Sequence, residues 1–128
     1  MNILGIGIDI VEINRIKKIL NKNRSFIERI YTKHERSSCF GNKKAFCYAK
    51  KYAAKEAFVK ALGTGFRKNI YFKDIEILNN KYGKPYFVLN KKINNKVKEI
   101  FKVNKFNIFL SISDEKNYSV ANVIISKQ

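Results

Sequence analysis

The chain reads as an α+β protein, with a small, mostly antiparallel sheet packed against one long helix and several shorter helices. Three observations predict this. An alternating apolar run opens the sequence, a long helical stripe stopped by glycine fills its middle, and two alternating runs around a polar turn close it. In chain order, Asn2–Val11 is a strand: Leu4, Ile6, Ile8 and Ile10 share one face, and Gly5, Gly7 and Asp9 share the other. Glu12–Asn21 follows as a helix, with Ile13, Ile16, Ile19 and Leu20 at helical spacing. Short helices are expected near Phe26–Tyr31 and His34–Phe40. The long helix runs from Lys43 to Leu62 and stops at Gly63. Phe72–Leu78 and Pro85–Leu89 read as strands joined by the Asn79–Lys84 turn. Lys91–Phe101 carries the helical stripe Ile93, Val97, Ile100 and Phe101. Phe106–Ser113 and Tyr118–Ser126 make the closing hairpin. No repeat, linker or low-complexity tail divides the chain, so residues 1–128 are read as one domain.

Composition narrows the class. A chain of 128 residues that is 45% hydrophobic can bury one modest core. No stretch approaches the ~20 apolar residues of a membrane span. The N-terminal apolar run lacks a basic leader and is broken by Asp9, so it does not read as a signal peptide. Cys39 and Cys47 match no zinc or redox spacing and are expected to be reduced thiols of a cytoplasmic protein. His34, in a polar stretch, is expected on the surface. The net charge of +17 would by itself point to nucleic acid. Its lysines are spread as pairs (Lys17-Lys18, Lys43-Lys44, Lys50-Lys51, Lys91-Lys92) rather than gathered in a stripe, and most read as solvated. With 10 Phe, 7 Tyr and no Trp, the aromatics are assigned to core and subunit contacts rather than to stacking on bases.

Chemistry enters at Glu56. At about 100° per residue it shares a helix face with Ala49, Tyr52, Ala53, Val59 and Gly63, with Lys60 one turn on. A carboxylate in a small-residue, apolar stripe is costly to bury unless something pairs with it. One reading is an ordinary, solvated Glu56–Lys60 ion pair. The N-terminal strand supports another. Gly5 and Gly7 leave its second face bare up to Asp9, so another group comes close to the backbone there, either a packed helix or a ligand. A strand-end Asp meeting a helix Glu is an oxygen-only site suited to Mg²⁺, which holds few protein oxygens and keeps water and phosphate. Lys60, beside the glycine stop, would serve a phosphate.

Four segments together carry a resemblance. Gly5-Ile6-Gly7-Ile8-Asp9-Ile10-Val11-Glu12-Ile13-Asn14-Arg15-Ile16 resembles the opening motif of the holo-(acyl-carrier-protein) synthases, the small type of 4′-phosphopantetheinyl transferase. Ala53 to Gly65 is similar to the second motif, and Gly83-Lys84-Pro85 to the third. Leu110-Ser111-Ile112-Ser113-Asp114-Glu115 with Tyr118-Ser119-Val120-Ala121 is similar to the C-terminal hairpin. The match in order and spacing spans essentially the whole chain.

The resemblance implies the phosphopantetheinyl transferase fold and transfer of the phosphopantetheine arm of coenzyme A to a serine of acyl carrier protein, for fatty-acid synthesis. It makes Asp9 and Glu56 the Mg²⁺ ligands, with Glu56 and Lys60 catalytic. Lys60 would stabilise charge on the leaving group. Two acceptors stay open for the serine proton: a metal-bound water held by Glu56, which is preferred, and Lys60, whose amine would have to be neutral. Lys51, Lys60, Gly63 and Lys84 are implied in coenzyme A binding, and Arg15, Lys22 and Arg24 in carrier binding. A homotrimer with active sites shared between subunits is implied, with no membrane and no specific nucleic acid as partner. Asp114 stands where many members have histidine, which passes a phosphate contact to Lys84 or Lys116. A degenerate, inactive member and a basic nucleic-acid-binding module are the rival readings.

Overall fold

The opening strand lands where two glycines allow it to, directly under the long helix. The computed structural model describes residues 2–128. β1 (Ile3–Glu12), β4 (Phe106–Asp114) and β5 (Tyr118–Lys127) form an antiparallel sheet in the order β1-β5-β4. Gly7 lies opposite Val123 and Asp9 opposite Ala121. The face carrying Gly5, Gly7 and Asp9 is covered by α4 (Lys44–Leu62). On α4, Ala49, Ala53, Ala57 and Ala61 recur every fourth residue and are buried. The fit is backbone on backbone: a Cβ on Gly5 would lie 2.1 Å from the Ala61 carbonyl oxygen, and one on Gly7 1.8 Å from that of Ala57. The group that approaches the glycines is therefore the helix itself, not a ligand.

The rest of the chain wraps this pair of layers. α1 (Ile13–Lys22) buries Ile13 and Ile16. α2 (Arg24–Ile30) starts at Asn23, whose side chain accepts from the Phe26 N–H. α3 (Lys33–Ser38) begins with a capping box between Thr32 and Glu35. α5 (Lys91–Phe101) buries Ile93 and Val97, while Ile100 at its end stays at the surface. Helix α4 ends on Gly63, which takes the left-handed conformation at φ 78°.

Three expectations are corrected. The strands make two sheets, not one, because β2 (Ile75–Asn79) pairs only with β3 (Pro85–Leu89). Phe72–Asp74 is a 3-10 turn rather than the start of β2; the Asp74 carboxylate accepts the Tyr71 N–H and closes it. Cys39 and Cys47 are joined in a disulfide, not free thiols. The turn Gly41–Lys43 folds the end of α3 back onto the start of α4 and leaves their Cα atoms 5.4 Å apart, within bonding reach.

The small sheet is tied to α4 by a buried ion pair. Lys55 and Glu35 are both fully buried, with Lys55 Nζ 2.8 Å from Glu35 Oε1. The same ammonium donates to the carbonyls of Ile30 at 2.9 Å, Phe72 at 2.9 Å and Ile75 at 2.8 Å. Glu35 in turn accepts from the N–H groups of Thr32 and Ile77. The two charges offset each other, the three ammonium hydrogens share four acceptors, and both Glu35 oxygens accept, which is the condition for burying such a pair.

The opposite face of the large sheet is bare. Ile6, Ile8 and Ile10 are 63%, 59% and 62% exposed, and Phe109 of β4, also exposed, lies on the same face across β5. These side chains form the apolar half of the β1 alternation, left without a covering layer in the single chain.

Candidate active site

β1 and α4 meet at a cleft of about 330 Å³ that collects Asp9, Arg15, Tyr52, Glu56 and Lys60, with Ile16, Ile19 and Phe26 as apolar walls. Asp9 reaches it because it follows Gly7 on the face toward α4. Glu56 reaches it because it stands at the border of the buried alanine stripe. Lys60 Nζ donates to Asp9 Oδ1 at 3.1 Å and to the Ile8 carbonyl at 3.1 Å. The lysine thus pairs across to β1, and the sequence reading of a Glu56–Lys60 pair along the helix gives way to this link.

Electrostatics mark Glu56. Burial, and then the charge of Asp9, push its carboxyl above the usual glutamate range, while the Tyr52 hydroxyl and Lys60 pull it back. Two carboxylates therefore press on each other in a half-buried cleft, with Lys60 bonded to only one of them. Added positive charge there would relieve the repulsion. Among the described residues no cluster of three or more His, Cys, Asp or Glu exists, so the pair offers a cation two protein carboxylates and leaves its other positions to water or substrate.

A second cleft of about 500 Å³ opens on another side of α4 and shares no lining residue with the first. Lys51 sits roughly 140° around the helix from Glu56. The cleft brings together Lys43, Lys50, Lys51, Gly83 and Asp114, with Phe40 and Phe46 as apolar walls. Lys51 is 2% exposed, and its ammonium donates to the Ile77 carbonyl at 2.7 Å. Burial pulls its pKa down. Lys50 is the freer cation, 3.6 Å from Asp114. Lys84, exposed at the β2–β3 turn, lines a third groove with Tyr86 and Phe109. Lys116 lies in a neighbouring cleft with Glu12 and Lys17, which shares Phe46 with the cleft of Lys50.

The remaining predicted residues lie as follows. Gly63 is exposed at the C-terminus of α4, its N–H bonded to the Val59 and Lys60 carbonyls. Arg15 is exposed on α1 at the rim of the Asp9 cleft. Lys22 ends that helix, and Arg24 opens α2 with Glu28 at 3.6 Å. His34 is at the surface as expected, near Glu76.

Comparison with known proteins matches this arrangement to one family. Residues 5–122 match the model of the 4′-phosphopantetheinyl transferase superfamily. A holo-(acyl-carrier-protein) synthase of Pelagibacter ubique is 57% identical over 130 residues, covering 100% of both chains. One from Ruthia magnifica is 47% identical, covering 98% of each. The chain belongs to the holo-(acyl-carrier-protein) synthase family. Its fold agrees: the crystal structure of the Bacillus anthracis synthase in complex with CoA superposes with a TM-score of 0.81 at 38% identity over both whole chains. The Neisseria meningitidis synthase superposes at 0.83 with 35% identity, covering 98% of this chain and 99% of that one. The α+β class read from the sequence therefore stands, as does the family resemblance.

Three residues at these clefts and their supports carry no signal in the linear pattern. Lys50 reads in the sequence as one of the solvated lysine pairs, and its place beside Asp114 follows only from the fold. Glu35 and Lys55 gave no local signal, because their pairing joins segments that the linear pattern does not relate.

Proposed function

We propose that the protein transfers the 4′-phosphopantetheine group of coenzyme A to a serine of apo-acyl carrier protein in the cytoplasm, with Mg²⁺, to supply fatty-acid synthesis. One observation carries the reading: Asp9, Glu56 and Lys60 converge in a single cleft at the contact of β1 with α4. The two carboxylates would hold the Mg²⁺. When bound, it supplies charge neutralisation at the pyrophosphate of the substrate. The serine oxygen attacks the phosphorus that carries the pantetheine arm. A P–O bond forms there, the bridging P–O bond breaks, and adenosine 3′,5′-bisphosphate departs. Lys60, which donates to Asp9 in the free chain, would face the growing negative charge of that leaving group. The serine proton passes to a water held by Glu56.

Two clefts on different sides of α4 support a site shared between subunits. The carboxylate cleft suits the pyrophosphate, and the cleft of Lys43, Lys50 and Lys51 suits the phosphorylated nucleotide end. The uncovered Ile6, Ile8 and Ile10 face fits a homotrimer in which the coenzyme bridges the first cleft of one chain and the second cleft of its neighbour. Carrier docking on Arg15, with Lys22 and Arg24 at the rim, would then bring the serine to the Asp9 cleft.

The deciding experiment follows labelled pantetheine from coenzyme A into apo-acyl carrier protein, with and without Mg²⁺. Transfer should require the ion and should disappear in Asp9→Asn and Glu56→Gln while the fold persists. Near-normal turnover in either variant would sink the assignment, and no transfer by the native chain would favour a degenerate member.

A further inference from the structure

The second cleft holds three cations that are not equally available. Lys51 is turned inward onto the Ile77 carbonyl at 2.7 Å and is almost fully buried. Lys43 caps the start of α4, and Phe46 and Lys50 follow three and seven residues on, so the three line the cleft from one side of the helix. Lys50 Nζ stands 3.6 Å from Asp114 Oδ2, with the two side chains 41% and 31% exposed. Asp114 arrives from a different element, as the last residue of β4 opposite Ser119. Among the described residues neither side chain of this pair has a second ionic partner. The contact is ionic and longer than a hydrogen bond, and both groups reach water, so it opens without stranding a buried charge. Glu115, the other acid of the cleft, is committed to its own turn, where it accepts the Asn117 N–H at 2.8 Å. Lys84 and Lys116, the cations that the sequence offers to a phosphate here, line other clefts.

We propose that Lys50 takes the 3′-phosphate of the coenzyme and that Asp114 is a built-in competitor for it, so that Lys50 exchanges one anion for another when the nucleotide binds. The inference rests on the second cleft being the seat of the nucleotide end, as given under Proposed function. A phosphomonoester brings about two negative charges and three acceptor oxygens, a carboxylate one charge and two oxygens, so the exchange favours the ligand. The acid subtracts from that gain. Each nucleotide that binds displaces Asp114 from Lys50, and each that leaves has its place refilled. Coenzyme and spent bisphosphate are therefore both held more loosely than the lysines alone would hold them, which favours product release.

Titration calorimetry of the full chain with adenosine 3′,5′-bisphosphate, without Mg²⁺ or carrier, provides the test. Asp114→Asn should tighten binding about 3-fold. Lys50→Gln should weaken it about 10-fold. Both should leave the melting temperature unchanged. On the Lys50→Gln background, Asp114→Asn should gain much less, since no cation is left to release. Adenosine 5′-monophosphate, which lacks the 3′-phosphate, should bind the native and Lys50→Gln chains nearly alike; an equal loss for it would overturn the assignment of that phosphate to Lys50. Weaker or unchanged binding in Asp114→Asn would overturn the competition. So would equal gains on both backgrounds, which would mean an acid that repels the ligand without engaging Lys50. Full affinity in Lys50→Gln with a loss in Lys43→Gln would pass the phosphate to Lys43, overturning the role of Lys50 and leaving the cleft assignment standing. A native chain that does not bind the bisphosphate, or undiminished binding when Lys43→Gln and Lys50→Gln are combined, would overturn the cleft reading and this inference together.

Discussion

A single missing side chain at position 7 decides how close α4 comes to β1. A Cβ there would meet the Ala57 carbonyl at 1.8 Å and the Ala61 nitrogen at 2.7 Å, both backbone atoms that cannot swing aside. Gly7→Ala should therefore force the helix off the sheet, spread Asp9 from Glu56, and cost at least about 3 kcal/mol in chemical denaturation, at the upper end for overpacking. Gly41→Ala is the useful contrast. Its Cβ would enter open space, so only its φ of +77° opposes the change, at about 1–2 kcal/mol. Arg15 is the other residue whose charge should be read in an assay. Arg15→Glu should raise the KM for acyl carrier protein strongly and leave that for coenzyme A nearly unchanged, because it stands at the rim of the Asp9 cleft and away from the cleft of Lys50. Lys22→Glu and Arg24→Glu should do less, with effects that shrink at high salt. If reversing the α5 residues Lys91 or Lys92 does as much as reversing Arg15, docking there is nonspecific attraction.

Helix α4 organises the elements, since one face of it packs on the sheet, another carries Glu56 and Lys60, and a third carries Lys50 and Lys51. Beside the bond from Lys51 to the Ile77 carbonyl, the Lys55–Glu35 pair fastens β2 to this helix. Both groups are fully buried, so removing one leaves the other charged and without its counter-ion. Glu35→Gln or Lys55→Met should each cost about 3–5 kcal/mol, whereas the double replacement Glu35→Leu with Lys55→Met should recover much of that loss. Equal or additive losses in denaturant titrations would show that the pair is not coupled. The Cys39–Cys47 link acts on the same region, fastening the end of α3, which carries Glu35, to the start of α4.

At the scale of the whole molecule, the bare Ile6, Ile8 and Ile10 face and the split between two clefts pose one question, whether the working unit is larger than the chain. Ile8→Lys places a charge in the centre of that face without touching the α4 side of β1. The expected outcome is a folded monomer in sedimentation equilibrium that has lost transfer activity, because each site would lack its second half. A monomeric variant with full activity would refute a shared site. The net charge of +17 belongs to this scale as well. With the proposed function, it would attract an anionic coenzyme and an acidic carrier from any direction, and so set encounter rates rather than the docking pose.

Much of this was legible in the linear pattern. The alternation of β1, the stop at Gly63, the α5 stripe and the closing hairpin are local events, each governed by residues a few positions apart, so their types and nearly all their bounds follow from the sequence. The family was also readable, and the motifs that carry it contain Asp9 and Glu56, which the fold brings into one cleft. Only the tertiary structure decided the rest. That Gly5 and Gly7 receive a helix rather than a ligand, that Lys60 turns to Asp9 instead of Glu56, and that Lys51 is buried against the Ile77 carbonyl depend on which surfaces meet. The same holds for the Cys39–Cys47 bond and the Lys55–Glu35 pair. Burial sets the energy of a charge, and burial is a property of packed elements: the same lysine costs little on a solvated helix face and must find an acceptor for each of its three N–H groups when that face is closed.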